Sequence, residues 1–248
     1  MPSLVGQNVV VVGGTGAVGE QIVKTALREG ANVLAMARDE KKLRRLAEVA
    51  PGVSILALDA RDHHSPAQLF DKVIPDVLVI AAGSIPVTNP LQQQSWSEFV
   101  TNWDSDTKIT FHFCKEALLR PLRPGSSVVI ISSGAALAGS PITGGYAPSK
   151  RAQMFIASYS QKESDRLKLG IRFVTLAPRM MPETPLGRRA VEDYAKFFGI
   201  SKDEYIRRLP SPPSATEVAN AFLSLRADPD GWRGEAYIVS GAGLEAVP

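Results

Sequence analysis

Only one cysteine, Cys114, occurs in the 248 residues, which excludes an internal disulfide and agrees with a reducing compartment. Its thiol is expected to pack within a helix. Histidine is almost as scarce, with only His63, His64 and His112. The first two are adjacent, so their side chains are expected to diverge, and no cluster with metal-ligand spacing is left. All three are read as non-ligands. No apolar run approaches the ~18 residues that a membrane span needs, and the N-terminus lacks a charged-then-apolar targeting pattern. A soluble, cytoplasmic protein is expected. A surplus of charge of one sign is also missing. The net charge of +3 is too small to point to nucleic acid, and the densest basic run, Lys41-Lys42 with Arg44-Arg45, alternates with leucines as a solvated helix face does. There is neither an internal repeat nor a low-complexity tract.

What is present suits one α/β domain over residues 1–248: 44% of the residues are hydrophobic and 21% charged. Asn8 to Val12 is an unbroken run of β-branched residues after the asparagine, the pattern of a parallel strand buried on both faces. A glycine cluster follows, Gly13-Gly14-Thr15-Gly16-Ala17-Val18-Gly19, and opens a helical pattern through Ile22, Val23, Ala26 and Leu27 to Gly30. Strand, glycine turn and helix N-terminus together make a phosphate site, because free N–H groups and the helix dipole favour the charge of a pyrophosphate.

Further strands are expected at Asn32–Ala37, Val53–Leu58, Val77–Ile80, Ser127–Ile131, Ile171–Leu176 and Glu235–Val239, with helices between them. The alternation predicts a doubly wound parallel sheet with helices on both faces. The second strand ends in Ala37 and Arg38, roughly 20 residues past the glycine turn, where an NAD site presents an acidic residue to the ribose. An arginine there suits the 2′-phosphate of NADP, although an ordinary surface arginine reads the same way. Asp59 and Ala60 follow the third strand at the edge of the sheet where cofactors bind. Ala81, Ala82 and Gly83 close the fourth with side chains small enough for a ring or a ribose to lie against backbone. A long helical segment is expected from about Ser95 to Arg120. Prolines at 178, 182, 185, 210, 212 and 213 interrupt the rhythm around two short amphipathic patterns. This helical insertion, at about 184–212, is well placed to cover a pocket; a structural excursion or a subunit contact is the alternative.

Tyr146 and Lys150 stand four apart where a helix should begin, so both fall on one face. A neighbouring ammonium favours the ionised phenol and makes it usable as a general acid or base. With these pieces in order, the chain resembles the short-chain dehydrogenase/reductase family over nearly its whole length. The resemblance rests on the glycine turn, an A-A-G at Ala81 to Gly83, the serine-ended fifth strand, Y-x-x-x-K at Tyr146 and Lys150, and the terminal Gly241-Ala242-Gly243. Ser133 precedes Tyr146 by thirteen positions, the family's interval.

The resemblance implies a Rossmann fold and hydride transfer between a carbonyl and an alcohol. Ser133 would orient the substrate oxygen, Tyr146 move its proton and Lys150 hold the nicotinamide ribose. Together with Arg38 it points to NADP, with NAD also possible, and it implies a small-molecule carbonyl or alcohol substrate and a homodimer or homotetramer. The family's helix asparagine, part of a proton relay, aligns with Asp106, and Asn102 fits the spacing less well. Ala17 stands at the family's usual second glycine. Pro178-Arg179 replaces its P-G beside the nicotinamide. A dinucleotide sensor without chemistry is the alternative from another functional class.

Overall fold

The computed structural model describes residues 4–227 and 234–247. Alternation along β1 (Asn8–Val12) sends Val9 and Val11 to one face of the sheet and Val10 and Val12 to the other, and all four are buried. Burying each such side chain stabilises the fold by about 1.5–3 kcal/mol, so β1 anchors both layers at once. The remaining elements follow in the order α1 (Ala17–Arg28), β2 (Asn32–Ala37), α2 (Glu40–Val49), β3 (Ser54–Ala57), α3 (Ser65–Lys72) and β4 (Val77–Ile80). After them come α4 (Trp96–Phe99), α5 (Lys108–Leu119), β5 (Ser127–Ile131), α6 (Ala135–Ala138), α7 (Tyr146–Arg166) and β6 (Arg172–Pro178). The chain closes through α8 (Pro185–Phe198), α9 (Lys202–Arg207), α10 (Ala215–Ala227), β7 (Ala236–Ser240) and β8 (Gly243–Ala246).

The sheet has the strand order β3-β2-β1-β4-β5-β6-β7-β8. Every pair is parallel except β7 with β8. The doubly wound parallel sheet expected from the sequence is therefore present, with one antiparallel edge strand that the short Gly243–Ala246 run did not announce. One apolar layer joins Ile22 and Val23 of α1 to Val218 and Phe222 of α10 and to Leu43 of α2. The other joins Phe70 of α3, Phe113 of α5 and Ala157 of α7 to Phe173 of β6. Strand order reverses between β1 and β4, and the crevice at that switch point is where sheets of this kind bind ligands.

The segment expected as one helix from Ser95 to Arg120 is broken. A capping box at Ser95 and Glu98 starts α4, which ends within one turn. A π-helical turn, Trp103–Thr107, then leads into α5. Across the wider turn the Asn102 carbonyl accepts from the Thr107 N–H at 3.2 Å, and side chains of α7 add to the turn's bonds: Ser149 Oγ donates to the same carbonyl at 2.8 Å, and Gln153 Nε2 to the Asp106 carbonyl at 3.2 Å. This docking lays the π turn against the start of α7.

Candidate active site

The glycine turn sits at the carboxyl end of β1. Gly13 has φ +88°, and a Cβ there would come within 2.5 Å of the Ala82 nitrogen, so β1 and β4 meet closely only because the residue is glycine. Gly16, the N-cap of α1, offers no side chain to the first-turn N–H groups. Those donors, on Ala17, Val18 and Gly19 behind Thr15, are free of side-chain capping, which fits a pyrophosphate held by backbone at a helix N-terminus. The Met36 carbonyl accepts from Gly13 at 2.8 Å and from Gly14 at 3.2 Å. Arg38, two residues further on and exposed, thus leaves the sheet beside the turn. Asp59, next to the buried Ala60, pairs with Arg61 at 2.6 Å. The bonded Arg61 guanidinium, and more weakly the charge of Arg38, hold the Asp59 carboxyl below its usual value. Arg61 drew no attention in the sequence, where it was one basic residue in a polar loop.

At the other end of the crevice, Ser132 Oγ donates to the Lys150 carbonyl at 2.8 Å and ties the end of β5 to the first turns of α7. Ser133, half-buried, is the next residue, and its hydroxyl accepts from the Ala135 N–H at 3.2 Å. Tyr146 is the first residue of α7, and the Lys150 Nζ lies 5.6 Å from the centre of its ring. Lys150 is buried; it donates to the Ile131 carbonyl at 3.3 Å and pairs with Asp106 at 3.0 Å. Pro178, at the end of β6, accepts at its carbonyl from the Gly134 N–H at 2.8 Å.

Asp106 departs from the expected relay residue. Its carboxylate binds Lys150 directly, and it also accepts from the Ser84 N–H at 2.8 Å, the Ser105 hydroxyl at 2.8 Å and the Asn102 amide at 3.3 Å. Burial by itself pushes this carboxyl up, but Lys150 and the surrounding donors outweigh it and hold the group below its ordinary value. Lys150 shows the reverse balance: burial lowers its pKa, and the charge of Asp106 raises it further still. Gly83, beyond Ala81 and Ala82, makes room for this cluster, since a Cβ there would meet Asp106 Oδ2 at 2.6 Å. Asn102, the weaker candidate by spacing, donates to the Ser84 carbonyl at 3.0 Å and belongs to the same buried group. The two positions were not alternatives, because one π turn brings both inward. Buried polar residues at helical spacing on α7, Ser149 and Gln153 beside Lys150, were the signal that could have revealed the docked turn.

The insertion after β6 folds as α8 and α9. Tyr194 of α8, which no motif singles out, shares a 2.5 Å hydrogen bond with Ser140 and stacks on Tyr205 of α9 at 5.3 Å. A cavity of about 640 Å³ is lined by Leu91, Phe99, Ala135, Ala136, Leu137 and Arg151 among others, but not by Ser133, Tyr146 or any residue of 178–213. The small apolar residues Ala135 and Ala136, with Leu137, thus line a cavity whose lining includes no residue of the insertion.

Cys114 is buried in α5 as expected, and burial pushes its thiol up to about 12, which removes it as a nucleophile at neutral pH. The rings of His63 and His64 do not diverge: their centres lie 3.8 Å apart, and the ligand atoms of Asp62, His63 and His64 fall within 4.8 Å of one another at the surface. The His64 backbone N–H bonds to the Asp62 carboxylate at 2.9 Å, curling the loop so that neighbours turn the same way. Among the described residues no helix is long and apolar enough to cross a membrane.

Residues 7–195 match the family model described as short chain dehydrogenase. The chain is 29% identical over 179 residues to 3-dehydrosphinganine reductase TSC10B of Arabidopsis thaliana; the match covers 67% of this chain and 54% of that protein, so only about half of the relative's length is spanned. Its fold is similar to that of levodione reductase (TM-score 0.83, 20% identity, 96% and 98% of the two chains). It is likewise similar to that of xylitol dehydrogenase with NAD+ bound (TM-score 0.84, 18% identity, 96% and 99%). With the family model matched over most of its length and the fold shared throughout, the chain belongs to the short-chain dehydrogenase/reductase family, whose members are NAD(P)-binding oxidoreductases.

Proposed function

We propose that this chain, one domain over residues 1–248, is an NADP-dependent oxidoreductase that interconverts a carbonyl and an alcohol. The observation that carries the reading is the joint at Ser132 and Lys150, which brings the end of β5, with Ser133, against the turn of α7 that bears Tyr146 and Lys150. Bound NADP supplies or accepts the hydride. The turn from Gly13 to Gly19 would hold its pyrophosphate, Asp59 and Ala60 its adenine, and Ala81 to Gly83 with Pro178 the nicotinamide end. Ser133 orients the substrate oxygen by a hydrogen bond. Tyr146 gives that oxygen its proton in reduction and removes it in oxidation. Lys150 holds the ribose hydroxyls and favours the phenolate when it forms. The test is NADPH consumption with a panel of ketones and aldehydes: turnover of none of them would overturn the reading.

NADP is preferred on account of Arg38, with Arg61 close by. NADPH is expected to bind more tightly than NADH, and Arg38→Asp to weaken NADPH by about 2 kcal/mol or more through loss of a charge-assisted bond and new repulsion. Equal native affinities for the two cofactors, measured by fluorescence titration, would rule this out.

Residues 184–212 are read as a cover over the substrate, joined to the loop before α7 by the Tyr194–Ser140 bond. Hydrogen exchange in this stretch is expected to slow when cofactor and substrate bind; protection equal to that of the central strands without ligand would count against it. Phe111 on α5 and Phe155 and Tyr159 on α7 are 49%, 47% and 60% exposed, more apolar surface than two helices of a monomer need to leave open. A symmetric dimer or tetramer built on these helices is the expected assembly. Light scattering of the purified protein at micromolar concentration checks it, and a monomer alone would refute it.

A further inference from the structure

We propose that Asp62, His63 and His64, in the loop between β3 and α3, are the ligands of a divalent transition-metal ion of the zinc or cobalt kind. The site is apart from the Ser133, Tyr146 and Lys150 set and does not depend on how that set is read. For the two histidines it reverses the non-ligand reading that their adjacency suggested.

The loop is shaped by its own hydrogen bonds. The Asp59 carbonyl accepts from the Asp62 N–H at 3.0 Å and from the Ser65 hydroxyl at 2.7 Å. The Asp62 carbonyl accepts from the Ser65 N–H at 3.1 Å, and Asp62 Oδ1 from the His64 N–H at 2.9 Å. Ser65 and Pro66, both buried, then fix where α3 begins. Groups already held together cost less to order around a ligand. His63 Nδ1 lies 3.6 Å from Asp62 Oδ1; two ligand atoms of one tetrahedral ion, with bonds of about 2.0–2.2 Å, stand roughly 3.3–3.6 Å apart. The ligand atoms of all three residues fall within 4.8 Å of one another. Their side chains are exposed, so small rotations close the remaining gap. The bond from the His64 N–H occupies only part of the Asp62 carboxylate, which has about four lone-pair positions to offer.

The donor types select the ion. Two imidazoles and a carboxylate suit zinc, cobalt, nickel and copper, whereas magnesium and calcium take oxygen ligands. The helix dipole at the start of α3 disfavours a cation, but Asp62 supplies the opposite charge, and the neighbouring Arg61 is already paired with Asp59. His112 of α5 brings a third imidazole to the cluster: its ring centre is 6.3 Å from that of His63, and its Nε2 is buried without a hydrogen-bond partner among the described residues. β2, β1 and β4 lie between β3 and β5, the strand that leads to Ser133. The ion therefore takes no part in moving a proton or hydride; it braces the loop that follows Asp59 and Ala60.

The test uses the full chain without an affinity tag, in which His63, His64 and His112 are the only histidines. Calorimetric titration with zinc chloride is expected to show one ion per chain, and cobalt chloride to develop visible absorption bands. His63→Ala and His64→Ala are each expected to weaken zinc binding by about tenfold or more, since loss of even an outer-shell partner costs about 10–100-fold. Both positions are exposed, and circular dichroism checks that the variants fold. Zinc is expected to raise the melting temperature of the native protein but not that of His63→Ala/His64→Ala. A native affinity for zinc no greater than that of the double variant overturns the proposal. So does binding that survives unchanged in both single variants, one ion shared between two chains in light scattering, or a preference for magnesium over zinc.

Discussion

Replacing Lys150 by methionine is expected to destabilise the protein by about 3–5 kcal/mol at neutral pH, because it leaves the Asp106 carboxylate buried without its ion-pair partner. Methionine fills nearly the volume of the lysine stem, so the loss is electrostatic and not a cavity effect. The pH dependence follows from the two shifts. Asp106 is held below its ordinary value, so its contribution is present above the ordinary carboxyl range and is lost as pH falls through the depressed value. Lys150 is held above its ordinary value, so its contribution is present below that value and is lost as pH rises through the raised one. The gap between native and Lys150→Met is therefore widest at neutral pH and narrows towards both extremes. Turnover and NADPH affinity are expected to fall together, since the same ammonium would hold the ribose and assist the phenol. Urea unfolding at several pH values measures the first effect; identical midpoints at pH 7 would show that the pair contributes nothing.

The sequence carried the fold where physical constraints act locally. Val9 to Val12, the glycines from Gly13 to Gly19 and the small residues at Ala81 to Gly83 each have few conformations open to them; the first stretch is the body of β1, and the other two follow β1 and β4 at the carboxyl edge of the sheet. It carried the candidate site less fully. Tyr146 and Lys150 are neighbours within one helix, so their spacing sufficed to bring them together. The pairing of Lys150 with Asp106, 44 residues earlier (150 − 106), depends on the π turn Trp103–Thr107, whose extra residue per turn no apolar period reveals. Histidine spacing misled for a similar reason, because the Asp62 carboxylate caps the loop and turns His63 and His64 alike. The antiparallel β8 escaped notice since four residues, half of them glycine or alanine, carry too little pattern.

Tyr146→Phe tests the central claim most directly. The substitution keeps the ring at the start of α7 and the contact of that ring with Lys150, and it removes only the proton that the proposed reaction moves. With a carbonyl substrate from the panel, kcat is expected to fall by about 10²–10⁴, the range for losing a general acid, while NADPH affinity stays within about twofold of native. A merely packed aromatic residue would show neither part of this split. Native turnover in a folded, NADPH-binding Tyr146→Phe protein would contradict the account and show that the proton comes from another group in the chain.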